Sequence, residues 1–95
     1  MLILLKKFGD VLTSRQAGRE AYSAFLPSLA TVKADELVTV NFEGVISFTP
    51  SWGDEFLTPL LNKFTTRLQL VNTDNPSVRL TLETLEEVNL QKFLR

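Results

Sequence analysis

The chain contains no cysteine and no histidine. The first absence removes disulfides, thiolate metal sites and cysteine nucleophiles. The second removes the commonest general base and the commonest metal ligand. A Cys/His zinc site and a Ser-His-Asp triad are therefore excluded. Glycine-rich phosphate loops are missing as well, since neither GxGxxG nor a GxxxxGKS/T pattern occurs. No apolar run reaches the ~18–20 residues of a membrane span. Met1 to Leu5 is followed by Lys6-Lys7, the wrong order for a signal peptide. Neither sign of charge dominates: ten basic and eleven acidic residues leave a net charge of −1. Nucleic-acid binders usually carry a basic excess, so neither nucleic acid nor membrane is an expected partner. Adjacent Asp54 and Glu55 point about 100° apart on a helix and make no catalytic pair. No enzyme, cofactor or metal is expected, and a reducing cytoplasm suits a chain without cysteine.

What is present is the material of one small globular domain. Ninety-five residues with 44% apolar content can bury a core, but surface stays large relative to that core. Leu2 to Phe8 opens with four apolar residues and reads as a strand. Ser14 can cap a helix over Arg15 to Ala30, whose apolar face is Gly18, Ala21, Tyr22, Phe25 and Leu29. Pro27 is expected to end that helix. Glu36 to Phe42 reads as the second strand. Ser51 to Phe64 reads as the second helix, with a stripe of Trp52 or Gly53, Phe56, Leu57, Leu60, Leu61 and Phe64. Pro59 predicts a kink or break in it. Arg67 to Val71 alternates as a third strand. Asn72 to Pro76 is a turn. Ser77 to Leu94 fits a strand through Val78, Leu80 and Leu82, or a helix through Val78, Leu82, Leu85 and Val88 with Glu83, Glu86 and Glu87 outside. Its length and Pro76 favour the helix. The β-α-β-α-β-α order implies an α/β domain of two or three layers with a mostly parallel sheet of three to four strands.

Ligands and partners of open parallel sheets collect at the carboxyl ends of the strands. Here those ends lead into Phe8 to Ser14, Glu43 to Ser51 and Asn72 to Ser77, each opening a helix. The middle segment carries the most. Ser51-Trp52-Gly53-Asp54 has capping-box spacing, with Asp54 and Glu55 expected in the first turn. Ser51 is a plain helix cap or a modified residue. Trp52 is core or an interface anchor. The candidate partner-binding residues are Ser47, Thr49, Ser51, Trp52, Asp54 and Glu55. Ser14 and Arg15 form a candidate anion site at the first helix, with Arg19 one turn further on.

The stretch Val38 to Phe56, VTVNFEGVISFTPSWGDEF, resembles the STAS-like family of small stand-alone domains. The matching features are Phe42, Gly44-Val45, Trp52, Gly53 and Asp54-Glu55. Ser14-Arg15 and Ala17 before the first helix match too, as do Asn72 and Asn75 before the last. More distantly the chain is similar to the anti-sigma factor antagonists. Those switch by phosphorylation of a serine at the start of the corresponding helix, and their partners are serine kinases of the histidine-kinase-like ATPase type. In this chain that position is matched by Trp52, with Ser51 one place before it, so the resemblance implies the surface and not the switch. It also implies that the chain opens at what would be the second strand of a founding domain, with sheet order 2-1-3. That order would leave the Glu36–Phe42 strand with an unpaired edge and allow a homodimer through it or a neighbouring helix. The expected function is a non-catalytic regulatory protein-interaction module that binds through Ser47 to Glu55. The alternative is a small-ligand or nucleotide-sensing domain using helix N-termini.

Overall fold

Short runs rich in leucine and valine become strands wherever alternate residues can be buried. The computed structural model describes every residue from Met1 to Arg95. In chain order the elements are β1 (Leu2–Leu4), β2 (Val11–Leu12), α1 (Arg15–Leu29), β3 (Val38–Asn41), β4 (Ser47–Phe48), α2 (Pro50–Phe64), β5 (Leu68–Val71) and α3 (Pro76–Asn89). One 3-10 turn follows β1 at Leu5–Phe8, and another precedes β5 at Thr65–Arg67. All strand pairs are parallel. β1, β3 and β5 form one sheet in that order, and β2 and β4 form a second, smaller one. The chain is an α/β domain.

The first strand is shorter than Leu2 to Phe8. It leaves the sheet after Leu4, and the 3-10 turn carries Leu5 and Phe8 toward the core. The sheet order is sequential and not 2-1-3. β3 is central, with Leu2 opposite Thr39 on one side and Thr39 opposite Gln69 on the other. Its edges are both occupied, so the Glu36–Phe42 segment has no unpaired edge and offers no route to a dimer. The outer edge of β5 meets the C-terminal tail, where Leu70 N–H donates to the Leu94 carbonyl at 2.8 Å.

Sequential order has a consequence for layering. Right-handed crossovers that step in one direction put every helix on the same side of the sheet. Accordingly only one sheet face is buried, that of Ile3, Val38, Val40, Leu68 and Leu70. The helices pack side by side over it, α1 on α2 and α2 on α3. The domain therefore has two layers.

Neither proline interrupts its helix. α1 passes through Pro27 to Leu29, and α2 passes through Pro59 to Phe64. Leu60, Leu61 and Phe64 beyond Pro59 are all buried, and that burial outweighs the roughly 3 kcal/mol a helical proline costs. The ambiguous last segment is a helix, capped by Asn75 and closed at Leu90 in the left-handed region (φ 52°). Glu86 is not on the outside of it. It is buried, accepting from Phe93 N–H at 2.8 Å and from Arg95 Nη2 at 3.2 Å, and so ties the tail to α3. No helix is long and apolar enough to cross a membrane.

The tightest packing is between α1 and α2. A Cβ on Gly18 would lie 2.7 Å from the Trp52 carbonyl oxygen and 3.0 Å from its Cα. Those are backbone atoms and cannot swing aside. Gly18→Ala is therefore expected to destabilise the domain by ~1–3 kcal/mol, as overpacking does, measured by urea unfolding. An unchanged midpoint would contradict the close approach.

Candidate functional site

The smaller sheet builds the end of the domain from which the helices start. Val11 lies opposite Ser47, and Leu12 opposite Phe48. Ile46 and Ser47 N–H both donate to the Asp10 carbonyl, at 2.7 and 3.1 Å. The start of α3 takes the place of a third strand. Phe48 N–H donates to Ser77 Oγ at 2.9 Å, and the Phe48 carbonyl accepts from Ser77 Oγ at 3.0 Å and from Thr81 Oγ1 at 2.6 Å. Asn75 Nδ2 donates to the Val45 and Ile46 carbonyls, while its Oδ1 caps α3. Thus Ser77 and Thr81 satisfy backbone groups of β4, and Asn75 those of the two residues before it.

Pro50 is the first residue of α2 and Thr49 its cap. This overturns the capping box at Ser51. Proline suits a first helical position because the N–H it lacks has no helical partner there. Ser51 is then the second helical residue, half-buried, with no cap bond, and Asp54 and Glu55 fall beyond the first turn. Thr49 does not cap through its side chain either. Its Oγ1 donates to the Thr13 carbonyl at 2.8 Å and pins the start of α2 beside the start of α1.

Trp52 is not an interface anchor. It is 1% exposed and lies at the centre of an aromatic cluster. Its ring stacks on Phe56 (centroids 5.0 Å apart, planes 26° apart) and meets the edge of Phe48 at 5.9 Å. Phe8 lies 6.2 Å away. Phe56 in turn touches Tyr22 and Phe25 of α1. Gly53, next along, sits where a Cβ would press on Phe48 and Leu85 at 3.0 Å.

The acids and the arginines expected at two different sites form one cluster. Arg15 Nη1 donates to Asp54 Oδ2 at 3.1 Å and to Glu55 Oε1 at 3.2 Å, and Arg19 Nη2 donates to Glu55 Oε1 at 3.2 Å. Asp54 also accepts from Thr58 Oγ1. Ser14 caps α1, accepting from Ala17 N–H at 3.0 Å. The arginines of the candidate anion site are thus paired with the carboxylates expected to bind a partner. The bonds from Arg19, then Arg15, hold the Glu55 carboxyl below the usual glutamate range, and Asp54, then Glu55, push the Arg15 guanidinium up. These side chains are partly exposed, so each pair is worth little by itself. Together they tie α1 to α2 across their solvent side.

Two residues absent from the expected set stand out at this end. Ile46 is 61% exposed and Val11 57%; Val11 lies opposite Ser47 in the small sheet, and Ile46 is the residue before Ser47. Pro50, the first residue of α2, is exposed, and Ser47 and Ser51 are half-buried. The signal for Ile46 was an apolar residue directly after Val45, in a segment too short to bury both. No group of three or more carboxylates converges to hold a metal ion. The two surface depressions lie along the C-terminal tail, both lined by Gln91 and Lys92, and not at this end. Comparison of the chain with protein-family models, with curated proteins and with solved structures gives no match.

Two outcomes follow from this geometry. Trp52→Ala is expected to cost ~3–5 kcal/mol, a large share of the ~5–15 kcal/mol typical of a domain. The variant should melt far below the parent, and a parent-like melt would contradict the core role. Glu55 has a depressed folded pKa, so its contribution is present above the ordinary glutamate pKa and is lost as pH falls through the folded value. Thermal melts between pH 7 and pH 3 should fall less steeply in acid for Glu55→Gln than for the parent. Identical acid slopes would contradict the ion-pair cluster.

Proposed function

We propose that the chain is a non-catalytic regulatory protein-interaction module of the STAS-like type. Its partner surface is the end of the domain built from β2, β4 and the start of α2. The observation that carries this reading is the exposure of two apolar residues at this end, Val11 in the small parallel sheet and Ile46 just before its second strand. Exposed apolar side chains next to polar ones suit an interface. They lie in the segments that follow the carboxyl ends of β1 and β3, where partners of parallel sheets collect. Ser47 and Ser51 supply the polar groups of the rim, with Asp54 and Glu55 on its flank, still paired to the arginines. Trp52 and Thr49 act from behind, by fixing where α2 begins.

The order of elements and the start of all three main helices beside the small sheet support the STAS-like reading. The sequential sheet order departs from the arrangement expected of it. The partner class that the resemblance implies is a histidine-kinase-like ATPase or a serine kinase, acting in the cytoplasm. With Trp52 buried at the position of the switch serine, binding is constitutive or controlled by something other than phosphate at that site.

The test is capture from an extract of the native host on immobilised parent and variants, with quantitative mass spectrometry. Val11→Lys and Ile46→Lys should lose a protein held by the parent, by about tenfold or more. Val88→Lys, exposed on α3, should keep it, and all variants should melt like the parent. Equal capture by all four proteins would refute the assignment.

A further inference from the structure

The chain leaves α3 through a turn that its sequence does not favour. Leu90 N–H donates to the Glu87 carbonyl at 3.4 Å, and Gln91 N–H to the Glu86 carbonyl at 3.2 Å. A left-handed residue closes a helix in this way, and glycine usually fills the position. Here it is Leu90, at φ 52° and ψ 39°. A Cβ is unfavourable in that region. The Leu90 side chain is 92% exposed, so its packing does not offset the strain. What holds Leu90 there is the segment beyond it.

That segment is an arm laid along β5. Leu94 bridges Gln69 in parallel, and its carbonyl accepts from Leu70 N–H. Phe93 is buried in the core cluster. Phe93 N–H and Arg95 Nη2 both donate to the Glu86 carboxylate. Between hinge and anchor, Gln91 and Lys92 are exposed and line both surface depressions. Thr65, which lines the second depression with Phe93 and Leu94, is also at positive φ (49°). Two of the chain's three non-glycine residues with positive φ therefore adjoin the arm. Strain of this kind collects at clamps and switch segments.

We infer that Leu90 to Arg95 is an exchangeable arm, and that two copies of the chain associate by laying each arm in the other's β5 groove. The groove itself selects the occupant. A second copy's arm brings the same Phe93 to the same socket, the same Leu94 to the same strand edge and the same Arg95 to the same carboxylate. No surface has to match itself, because these contacts of the exchanged pair are already made within each chain. Short hinges under strain invite such exchange. When Leu90 leaves the left-handed region, the turn opens and the arm runs outward. Both hinges of a pair then shed a strain that the closed monomer must keep. Against this stand the cost of bringing two chains together and the high effective concentration of an arm tethered to its own groove. The closed monomer therefore dominates in dilute solution, and exchange grows with concentration. Leu90 to Lys92 spans at most about 10 Å, so the two β5 edges lie close together in the pair. The exchange leaves β3 inside its sheet and does not rest on the partner surface proposed above.

Hinge variants test this without removing a contact. Leu90→Gly fits the left-handed turn and should favour the closed monomer. Leu90→Val is β-branched, fits it worse, and should favour exchange. The intact chain and both variants are refolded from urea at ~10 µM and at ~1 mM, a range that spans weak association, and examined by sedimentation velocity. The parent should form a dimer whose share rises with concentration. With two hinges per pair, the dissociation constants of the two variants should differ by about tenfold or more, valine pairing the tighter. Circular dichroism checks that each is folded. A cross-link identifies what is exchanged. Gln69 and Leu94 lie opposite each other, and the chain has no cysteine of its own. Gln69→Cys and Leu94→Cys chains, refolded together at ~1 mM and oxidised, should cross-link to each other well beyond either alone. A parent that stays monomeric at ~1 mM overturns the inference. So does a dimer formed equally by all three Leu90 proteins, or a mixture that cross-links no better than its parts.

Discussion

Gly18 lets the backbone of α1 come within contact of the α2 backbone at Trp52, and the placement of the other elements depends on that approach. With a side chain at Gly18, α2 would have to shift outward. Trp52 would then lose its stack on Phe56 and its contact with Phe48. Phe48 is the residue whose backbone receives α3, through Ser77 and Thr81. One glycine contact thus links α1, α2, β4 and α3. For a domain this small, with little core to spare, such linkage gives the fold much of its cooperativity.

The same contact divides the strand-to-helix junction into an inner and an outer part. Inside are Trp52, Gly53 and Phe48, packed as core. On the flank, Arg15 and Arg19 are bound to Asp54 and Glu55 and close the α1–α2 seam toward solvent. Outside, Val11, Ile46 and Pro50 are left free. The residues most conspicuous in sequence are the ones the fold consumes. The residues available to a partner are ordinary aliphatics.

How far the sequence could be read depends on which interactions are local. The three helices, the three longer strands and their alternation follow from periodicity. Asn75-Pro76 announces α3 through cap and first-turn chemistry. The start of α2 was legible too, since Pro50 marks a first helical position; Ser51 drew attention because its spacing to Asp54 imitates a capping box. Trp52 falls four residues before Phe56, on the apolar stripe, and that spacing pointed to core. Glu86 follows Leu82 by four and so had to face inward, but its bonds to Phe93 and Arg95 come from a tail whose path no local pattern gives. Sheet order and the ion-pair cluster are non-local. Nothing in residues 15 and 19 says that residues 54 and 55 will be opposite them. The uncovered sheet face, which follows from the order, was hidden for the same reason.

Trp52 is the only tryptophan in the chain, so its fluorescence reports on the junction without interference. Quenching by iodide and acrylamide in the native protein, set against the urea-unfolded chain, tests most directly whether the junction is built around it. The expected result is native emission shifted to the blue of the unfolded chain and insensitive to iodide. Native emission at the unfolded position, quenched as readily as in urea, would contradict a buried Trp52 and return it to the surface as a binding residue.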